Sequence, residues 1–264
     1  MKIRLFTKNN ELSESVRNEL EEKLVINGYE LDNKDDYELA ISIGGDGKFI
    51  SMIHACEFDT NKKYIGVNTG NLGYLTTVDK DDLNEFINDL TTNSFNVDKL
   101  KFLSIKVNSN DEYNNTTFKC LNEVVIRSTL FKTLYLSTFV NNNLLYKFSG
   151  DGLAVSTQVG STAYNMSLGG PVLDNTVEAL SIMPVAPLNS LINKNIVNPF
   201  ITSDKNKIII KPDNKENSIS LIVDGKVTPI KDLISIEIKV EGYINVLRDI
   251  DYNHIICLNN KIYK

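Results

Sequence analysis

The chain has 264 residues, 42% of them hydrophobic and 23% charged, which is the composition of a globular protein with one large or two ordinary domains. The net charge of −6, from 28 basic and 34 acidic residues without a Lys/Arg block, argues against a nucleic-acid partner. No apolar run reaches the ~18 to 20 residues that cross a bilayer, and the N-terminus lacks the apolar core of a signal peptide, so we expect a cytoplasmic protein with no membrane partner.

The first ninety residues alternate strand and helix signals, which predicts a parallel sheet in a Rossmann-like α/β domain over residues 1–98. Strands are predicted at 2–6, 39–43 and 64–67, and helices at 48–55 and 81–90. Apolar residues four apart predict one buried stripe on a further helix that ends near Gly28; they are Leu12, Val16, Leu20 and Leu24.

From about Leu100 the apolar period changes to two, which predicts a mostly β second domain over residues 99–242. One predicted helix, 161–168, interrupts this domain and ends at Gly169-Gly170-Pro171. Residues 243–264 are predicted to return to the first domain. The predicted strands of the second domain are 102–107, 118–126, 134–140, 144–148, 153–156, 207–211, 219–223 and 234–240.

The cysteines and histidines form no zinc-binding pattern, because they are few, far apart and without a Cys-x-x-Cys pair. They are Cys56, Cys120, Cys257, His54 and His254. We therefore expect no metal held by protein side chains, and any catalytic cation to be oxygen-bound Mg²⁺, held largely by substrate phosphates.

Residues 44–47, Gly-Gly-Asp-Gly, follow the apolar strand predicted at 39–43. Glycines let backbone N–H groups approach an anion at a helix start, and Asp46 adds a carboxylate to the same loop, which together indicate phosphoryl transfer. A tight turn in which Asp46 only caps the helix is the structural alternative. The P-loop pattern fails because Phe49 stands in place of Ser or Thr, and G-x-G-x-x-G fails at Ile50.

Further clusters place polar groups where ligands bind. Loop 68–75 follows a parallel strand, and Asn122-Glu123 lies inside an apolar strand, where a buried carboxylate needs partners such as sugar hydroxyls. Residues 150–152 repeat a carboxylate between glycines, and residues 160–167 bring hydroxyls and an aromatic ring to a helix start. Each of these clusters could instead have a purely structural role, as a turn, a polar pair at a sheet edge or a helix cap. Asp224-Gly225 matches an ordinary hairpin turn.

Taken in order, these motifs resemble the bacterial NAD kinases, and the match spans most of the chain. The motifs are Gly44-Gly45-Asp46-Gly47, Asn68-Thr69-Gly70-Asn71-Leu72-Gly73, Asn122-Glu123, Gly150-Asp151-Gly152 and Gly160-Ser161-Thr162-Ala163-Tyr164, ending in Gly169-Gly170-Pro171. The resemblance implies an enzyme that phosphorylates the 2′-hydroxyl of the adenosine ribose of NAD to give NADP. The implied donor is ATP or inorganic polyphosphate, with a divalent cation.

The resemblance also implies roles for single residues. Asp46 is the expected general base and, with Gly47 and its neighbours, a phosphate contact; Asp151 is the expected nicotinamide-side carboxylate. The remaining expected ligand contacts are Lys48, Tyr74, Asn122, Glu123, Ser149, Ser161, Thr162, Ala163, Tyr164, Ser167, Ala186 and Asp224. The second domain is expected to bind NAD, in a homodimer or homotetramer whose NAD site borrows residues from a neighbouring subunit.

Two positions depart from the family pattern. Lys48 stands where Thr or Ser is usual, and Ser149 stands where a basic residue is common. The Lys48 ammonium either points at the donor phosphates or is a solvated group in the first helical turn.

Two other classes of protein share part of this pattern. A lipid kinase of the diacylglycerol or sphingosine type carries a similar glycine loop, but Asn122-Glu123, residues 160–164 and the lack of a basic amphipathic surface argue against it. A non-catalytic dinucleotide sensor would not need a carboxylate in the phosphate loop, so Asp46 favours an enzyme.

Overall fold

In a computed structural model of the chain, the residues that can be described are 1–32, 34, 36–70, 73–130, 132–189, 196–214 and 218–262. They group into two compact units, residues 1–100 with 243–264, and residues 101–242. Within these described ranges, no helix has the length and apolar character to cross a membrane.

The strands and helices in chain order are β1 (Lys2–Thr7), α1 (Glu11–Ile26), β2 (Glu30–Leu31), β3 (Leu39–Ile43), α2 (Asp46–Ala55), β4 (Lys63–Asn68), β5 (Val78–Asp79), α3 (Leu83–Thr92), β6 (Phe95–Ser109), β7 (Thr117–Cys120), β8 (Glu123–Ser128), β9 (Leu134–Val140), β10 (Asn143–Ser156), α4 (Tyr164–Ser167), β11 (Ala179–Pro187), β12 (Phe200–Ser203), β13 (Ile208–Pro212), β14 (Ile219–Val223), β15 (Lys226–Ile230), β16 (Leu233–Asp249) and α5 (His254–Ile262). Short 3₁₀ turns occur at Glu112–Asn114 and Val159–Thr162.

The first unit has the predicted parallel sheet, in the order β2-β1-β3-β4, with the last part of β16 parallel to β4. All five residues of β3 are buried, as expected of a parallel strand covered on both faces. The C-terminal segment belongs to this unit, as predicted. The carboxyl ends of β3 and β4 carry the glycine loop and the start of loop 68–75, so the fold places both motifs at one edge of the sheet.

Helix α1 forms as predicted, but its buried stripe differs at one position. Leu12 is 47% exposed, and Ser13 is buried in line with Val16, Leu20 and Leu24. Each step of four residues rotates a side chain about 40° around a helix of 3.6 residues per turn, so three steps back from Leu24 leave the buried face. The Asn10 side chain accepts from the Ser13 N–H and caps the helix.

The second unit is mostly antiparallel β, as predicted. Strands β15, β14, β8, β10, β9 and β13 are successive neighbours; β11 pairs with β10 and β12 with β11. Alternation along β8 sends Val124 and Ile126 into a large core and Val125 to a smaller cluster that includes Tyr164. Glu123 has the same parity as Val125, so it lies on the face that Tyr164 covers.

Several predicted elements of the second unit are wrong in detail. The predicted strand 118–126 is two strands, β7 and β8, because the backbone N–H groups of Leu121 and Asn122 bond to the Asp224 carboxylate. The predicted strands 144–148 and 153–156 are one strand, β10. The predicted helix 161–168 is a 3₁₀ turn followed by the four-residue α4. Strand β11 was not predicted, because it contains prolines, which usually mark turns.

Candidate active site

The glycine loop leads from β3 into α2. The Gly44 N–H donates to the Val67 carbonyl (2.9 Å), and Gly45 is the N-cap of α2 with no side chain capping the helix. A Cβ added to Gly45 or Gly47 would meet no atom within 4 Å. The N–H groups at the start of a helix generally lack intrahelical acceptors, so this open loop offers backbone donors that suit a phosphate.

Asp46 does not cap its own helix. Its carboxylate accepts from the backbone N–H of Tyr74 at Oδ2 (2.7 Å) and of Leu75 at Oδ1 (2.9 Å), and the Lys261 ammonium of α5 lies 3.3 Å from Oδ2. The side chain remains 29% exposed. The carboxylate is therefore held by a neighbouring loop and keeps lone pairs for a further donor.

The loop that holds Asp46 is itself fixed in place. A Cβ on Gly73 would lie 2.0 Å from Asp46 Oδ1 and 2.4 Å from Thr76 Oγ1, so only glycine allows this approach. The buried Arg248 guanidinium donates to the carbonyls of Tyr74 (3.2 Å) and Leu75 (3.1 Å). Asn71 and Leu72 of the predicted motif lie outside the described residues.

Lys48 and Tyr74 adjoin the same loop. Lys48 lies in the first turn of α2, and a Cβ on Gly44 would be 2.8 Å from the Lys48 Cβ. Lys48 is partly buried, and this burial lowers the pKa of its ammonium. The Tyr74 ring faces the Lys261 ammonium, 3.6 Å from the ring centroid.

In the second unit, Asp224 fixes the backbone of the Asn122-Glu123 pair. Its carboxylate accepts from the N–H groups of Leu121 (2.8 Å), Asn122 (2.9 Å) and Glu123 (3.3 Å). Asp224 and Gly225 have φ values of 45° and 81° and connect β14 to β15, so the predicted hairpin turn is present. The Asp224 side chain thus orients a candidate ligand pair.

Glu123 is buried, and its Oε2 atom has no hydrogen-bond partner within the described part of the chain. Burial, and then the charge of Asp224, raise the pKa of Glu123 from 4.5 to about 7, although a backbone N–H from Tyr164 opposes the shift. A buried carboxylate with an unpaired oxygen can accept from ligand hydroxyls.

We expect Glu123→Gln to stabilise the protein at pH 8 relative to the parent and to have a smaller effect at pH 5. Because the folded pKa lies above the unfolded value, the folded state binds the proton more tightly, and the parent loses stability as pH rises through about 7. The loss is at most about 3 kcal/mol. Thermal melts of both proteins at the two pH values test this, with the exposed Glu112→Gln as control; a Tm difference independent of pH would contradict it.

The segment after β10 packs against Asn122. A Cβ on Gly160 would lie 2.1 Å from the Asn122 carbonyl oxygen, and the buried Ser161 Oγ accepts from the Leu173 N–H (3.0 Å). The Thr162 hydroxyl donates to the Val159 carbonyl (3.2 Å). Ser161 is therefore engaged by the fold. Of the other predicted contacts in this segment, Ser167 is exposed and Thr162, Ala163 and Tyr164 are partly exposed.

Ser149, Asp151 and Ala186 form a separate group in the second unit. Strand β10 places Ser156 opposite Glu123, so Asp151 lies about 16 Å away along the strand. Asp151 is 57% exposed, with Arg127 3.8 Å from its carboxylate. Ala186 is exposed with φ of 44°, and Ser149 is buried. The second unit thus presents two polar groups far apart along one strand.

The sequence offered no signal for Lys261 or Arg248. Both come from the C-terminal segment, Lys261 being 215 residues from Asp46 in the chain. Only the return of this segment to the first unit brings them to the loop. Across the described ranges, no group of three or more His, Cys, Asp or Glu side chains could hold a metal ion.

A parallel α/β unit whose glycine loop holds a carboxylate, followed by a β unit with a buried glutamate, defines a nucleotide phosphotransferase. Residues 3–95 match the family model of the ATP-NAD kinase N-terminal domain, and residues 121–250 match that of the ATP-NAD kinase C-terminal domain. The chain therefore belongs to the NAD kinase family, which confirms the predicted enzyme class and its reaction, the phosphorylation of NAD to NADP.

Curated relatives agree with this assignment. The chain is 33% identical to the NAD kinase of Streptococcus gordonii, over 92% of this chain and 87% of the relative, and 32% identical to that of Lactococcus lactis subsp. cremoris, strain SK11, over 91% and 88%.

Solved structures share the fold. The crystal structure of yeast NADH kinase complexed with NADH has a TM-score of 0.83 at 18% identity, covering 98% of this chain and 86% of that one. An NAD kinase from Archaeoglobus fulgidus in complex with ATP has a TM-score of 0.79 at 21% identity, covering 99% and 98%.

Proposed function

We propose that Asp46 is the general base of this NAD kinase. The ribose 2′-oxygen forms the new bond to phosphorus, its proton passes to the Asp46 carboxylate, and the donor's leaving oxygen keeps the electrons of the broken P–O bond. The observation that carries the proposal is the Asp46 carboxylate, held by the N–H groups of Tyr74 and Leu75 beside the open backbone of the glycine loop. Phosphoryl transfer depends chiefly on such positioning.

The second unit supplies the dinucleotide contacts in this proposal. The unpaired Glu123 Oε2 accepts from ribose hydroxyls, Asn122 assists it, and the Tyr164 ring lies against the adenine. The group around Asp151 receives the nicotinamide end, since its separation from Glu123 suits a ligand with two distant polar ends. The other contacts we propose are Ser149, Ser161, Thr162, Ala163, Ser167 and Ala186, with Asp224 acting through the Asn122-Glu123 backbone.

The phosphate donor is proposed to lie at the glycine loop, with Gly47 N–H and the Lys48 ammonium as its protein contacts. A divalent cation, Mg²⁺, would be carried by the donor's phosphate oxygens, which fits a loop that offers one carboxylate and backbone groups. When bound, the cation offsets charge on the phosphate oxygens. Tyr74 lies beside this site.

We expect the purified protein to form NADP from NAD with ATP and Mg²⁺, and Lys48→Thr to raise the KM for ATP about fivefold while leaving the KM for NAD within about twofold. The physical reason is the loss of one charge-assisted contact to phosphate. A coupled assay of NADP with ATP or polyphosphate as donor checks both. NAD binding without product would support a dinucleotide sensor, and an unchanged KM for ATP would remove Lys48 from the site.

We also propose a cytoplasmic homodimer or homotetramer, following the pattern of the family resemblance. Size-exclusion chromatography with light scattering measures the oligomeric state, and a monomer at assay concentration would contradict this proposal.

A further inference from the structure

Helix α5 directs a cation at the proposed base. The Lys261 Nζ atom lies 3.3 Å from Asp46 Oδ2 and 3.6 Å from the centroid of the Tyr74 ring, and the lysine side chain is only 13% exposed. Burial lowers the pKa of Lys261, while Asp46 opposes that effect. The ammonium is thus a mostly buried charge placed at the start of α2.

The surroundings of Lys261 do not use its full hydrogen-bonding capacity. An ammonium has three N–H donors, and in the described part of the chain Lys261 has one hydrogen-bond acceptor, Asp46. The carboxylate already accepts from two backbone N–H groups, so it does not need the ammonium for its own orientation. Two donors of Lys261 therefore remain for a further acceptor near the glycine loop.

We propose that Lys261 is a catalytic residue that donates to the oxygens of the phosphoryl group during its transfer. The inference rests on the proposed role of Asp46. When the Asp46 carboxylate takes the hydroxyl proton, it loses its negative charge. The phosphoryl oxygens are then the nearest anionic group to the Lys261 ammonium. Lys261 keeps its own proton throughout, so it stabilises charge without a second proton transfer.

If Lys261 has this role, its removal changes the KM for ATP and leaves the KM for NAD nearly unchanged. Lys261→Met removes the charge at similar volume, and we expect it to raise the KM for ATP about tenfold and to lower kcat about tenfold or more, while the KM for NAD stays within about twofold. Lys261→Arg keeps the charge and restores most of the affinity for ATP. Lys80→Met, which removes an ion pair with the exposed Asp81 of the same unit, is the matched control and keeps parental kinetics.

The experiment combines steady-state kinetics with calorimetric titration of MgATP into each full-length protein. Parent protein that makes no NADP would refute the proposed function, whereas the titration would still report on Lys261. If Lys261→Met fails to fold by circular dichroism, Lys261→Gln replaces it and must show the same shift. Unchanged kinetics in Lys261→Met would overturn the proposal. A loss of kcat that Lys261→Arg does not restore would overturn it too, because that loss would follow from the shape of the side chain and not from its charge.

Discussion

Asp46→Asn will lower kcat by about 10²- to 10⁴-fold while the protein remains folded. The amide cannot accept the ribose proton. In the parent, both oxygens of the Asp46 carboxylate accept from backbone groups. The NH₂ group of the new amide must therefore face the N–H of Tyr74 or Leu75, and two donors then oppose each other. We therefore expect a loss of about 1 to 2 kcal/mol in the free energy of unfolding as well. The measurements are kcat for NADP formation and chemical denaturation.

Asp59→Asn is the matched control for this substitution. The Asp59 carboxylate also accepts a backbone N–H in the first unit, from Asn61 (2.9 Å), but in a turn away from the glycine loop. We expect it to change stability slightly and kcat within about twofold. If Asp46→Asn kept nearly full turnover, Asp46 would be a structural acceptor for the loop and the proposed general base would be wrong.

Gly73→Ala is the second substitution with a large expected effect. The added Cβ would lie 2.0 Å from Asp46 Oδ1 and 2.4 Å from Thr76 Oγ1, which is closer than a Cβ normally approaches another atom, so the carboxylate or its loop must move. A displacement of about 1 Å in a catalytic group lowers the rate by about 10²-fold, and we expect kcat to fall by that amount. Steady-state kinetics at saturating NAD and ATP measure this effect.

Gly70→Ala is the control that distinguishes a displaced Asp46 carboxylate from a general effect of alanine in this loop. A Cβ on Gly70 would meet no atom within 4 Å, so the variant should retain most of the parental kcat. Equal losses in the two variants would mean that the loop, and not the approach of Gly73 to Asp46, controls activity. Parental activity in Gly73→Ala would contradict the observed geometry.

The fold class was predictable because its signals are local. The burial of every residue in β3 and of the apolar run from Val124 to Ile126 in β8 follows directly from the order of apolar residues. Local rules failed where a distant group competes for the backbone. The Asp224 carboxylate accepts from the N–H groups of Leu121 and Asn122, so β7 ends at Cys120 although the next residue, Leu121, is apolar.

The candidate site likewise has one part that the local sequence predicts and another that it does not. Glycine at positions 44, 45 and 47 with Asp46 between them is a local pattern, because a backbone that approaches phosphate needs residues without side chains. The family resemblance of the ordered motifs likewise needs no coordinates. Which groups hold the Asp46 carboxylate was not predictable, since Tyr74 and Leu75 contribute backbone N–H groups, which carry no residue identity.

Residue order alone thus supplied the class of fold, the family and the proposed base. Tertiary packing decided the charge around that base, because Arg248 and Lys261 reach the loop only when β16 pairs beside β4 and α5 packs in the first unit. It also decided that Glu123 is buried, with one carboxylate oxygen that has no partner among the described residues. Burial and Coulomb interactions depend on distance in space, which the spacing of residues along a chain does not specify.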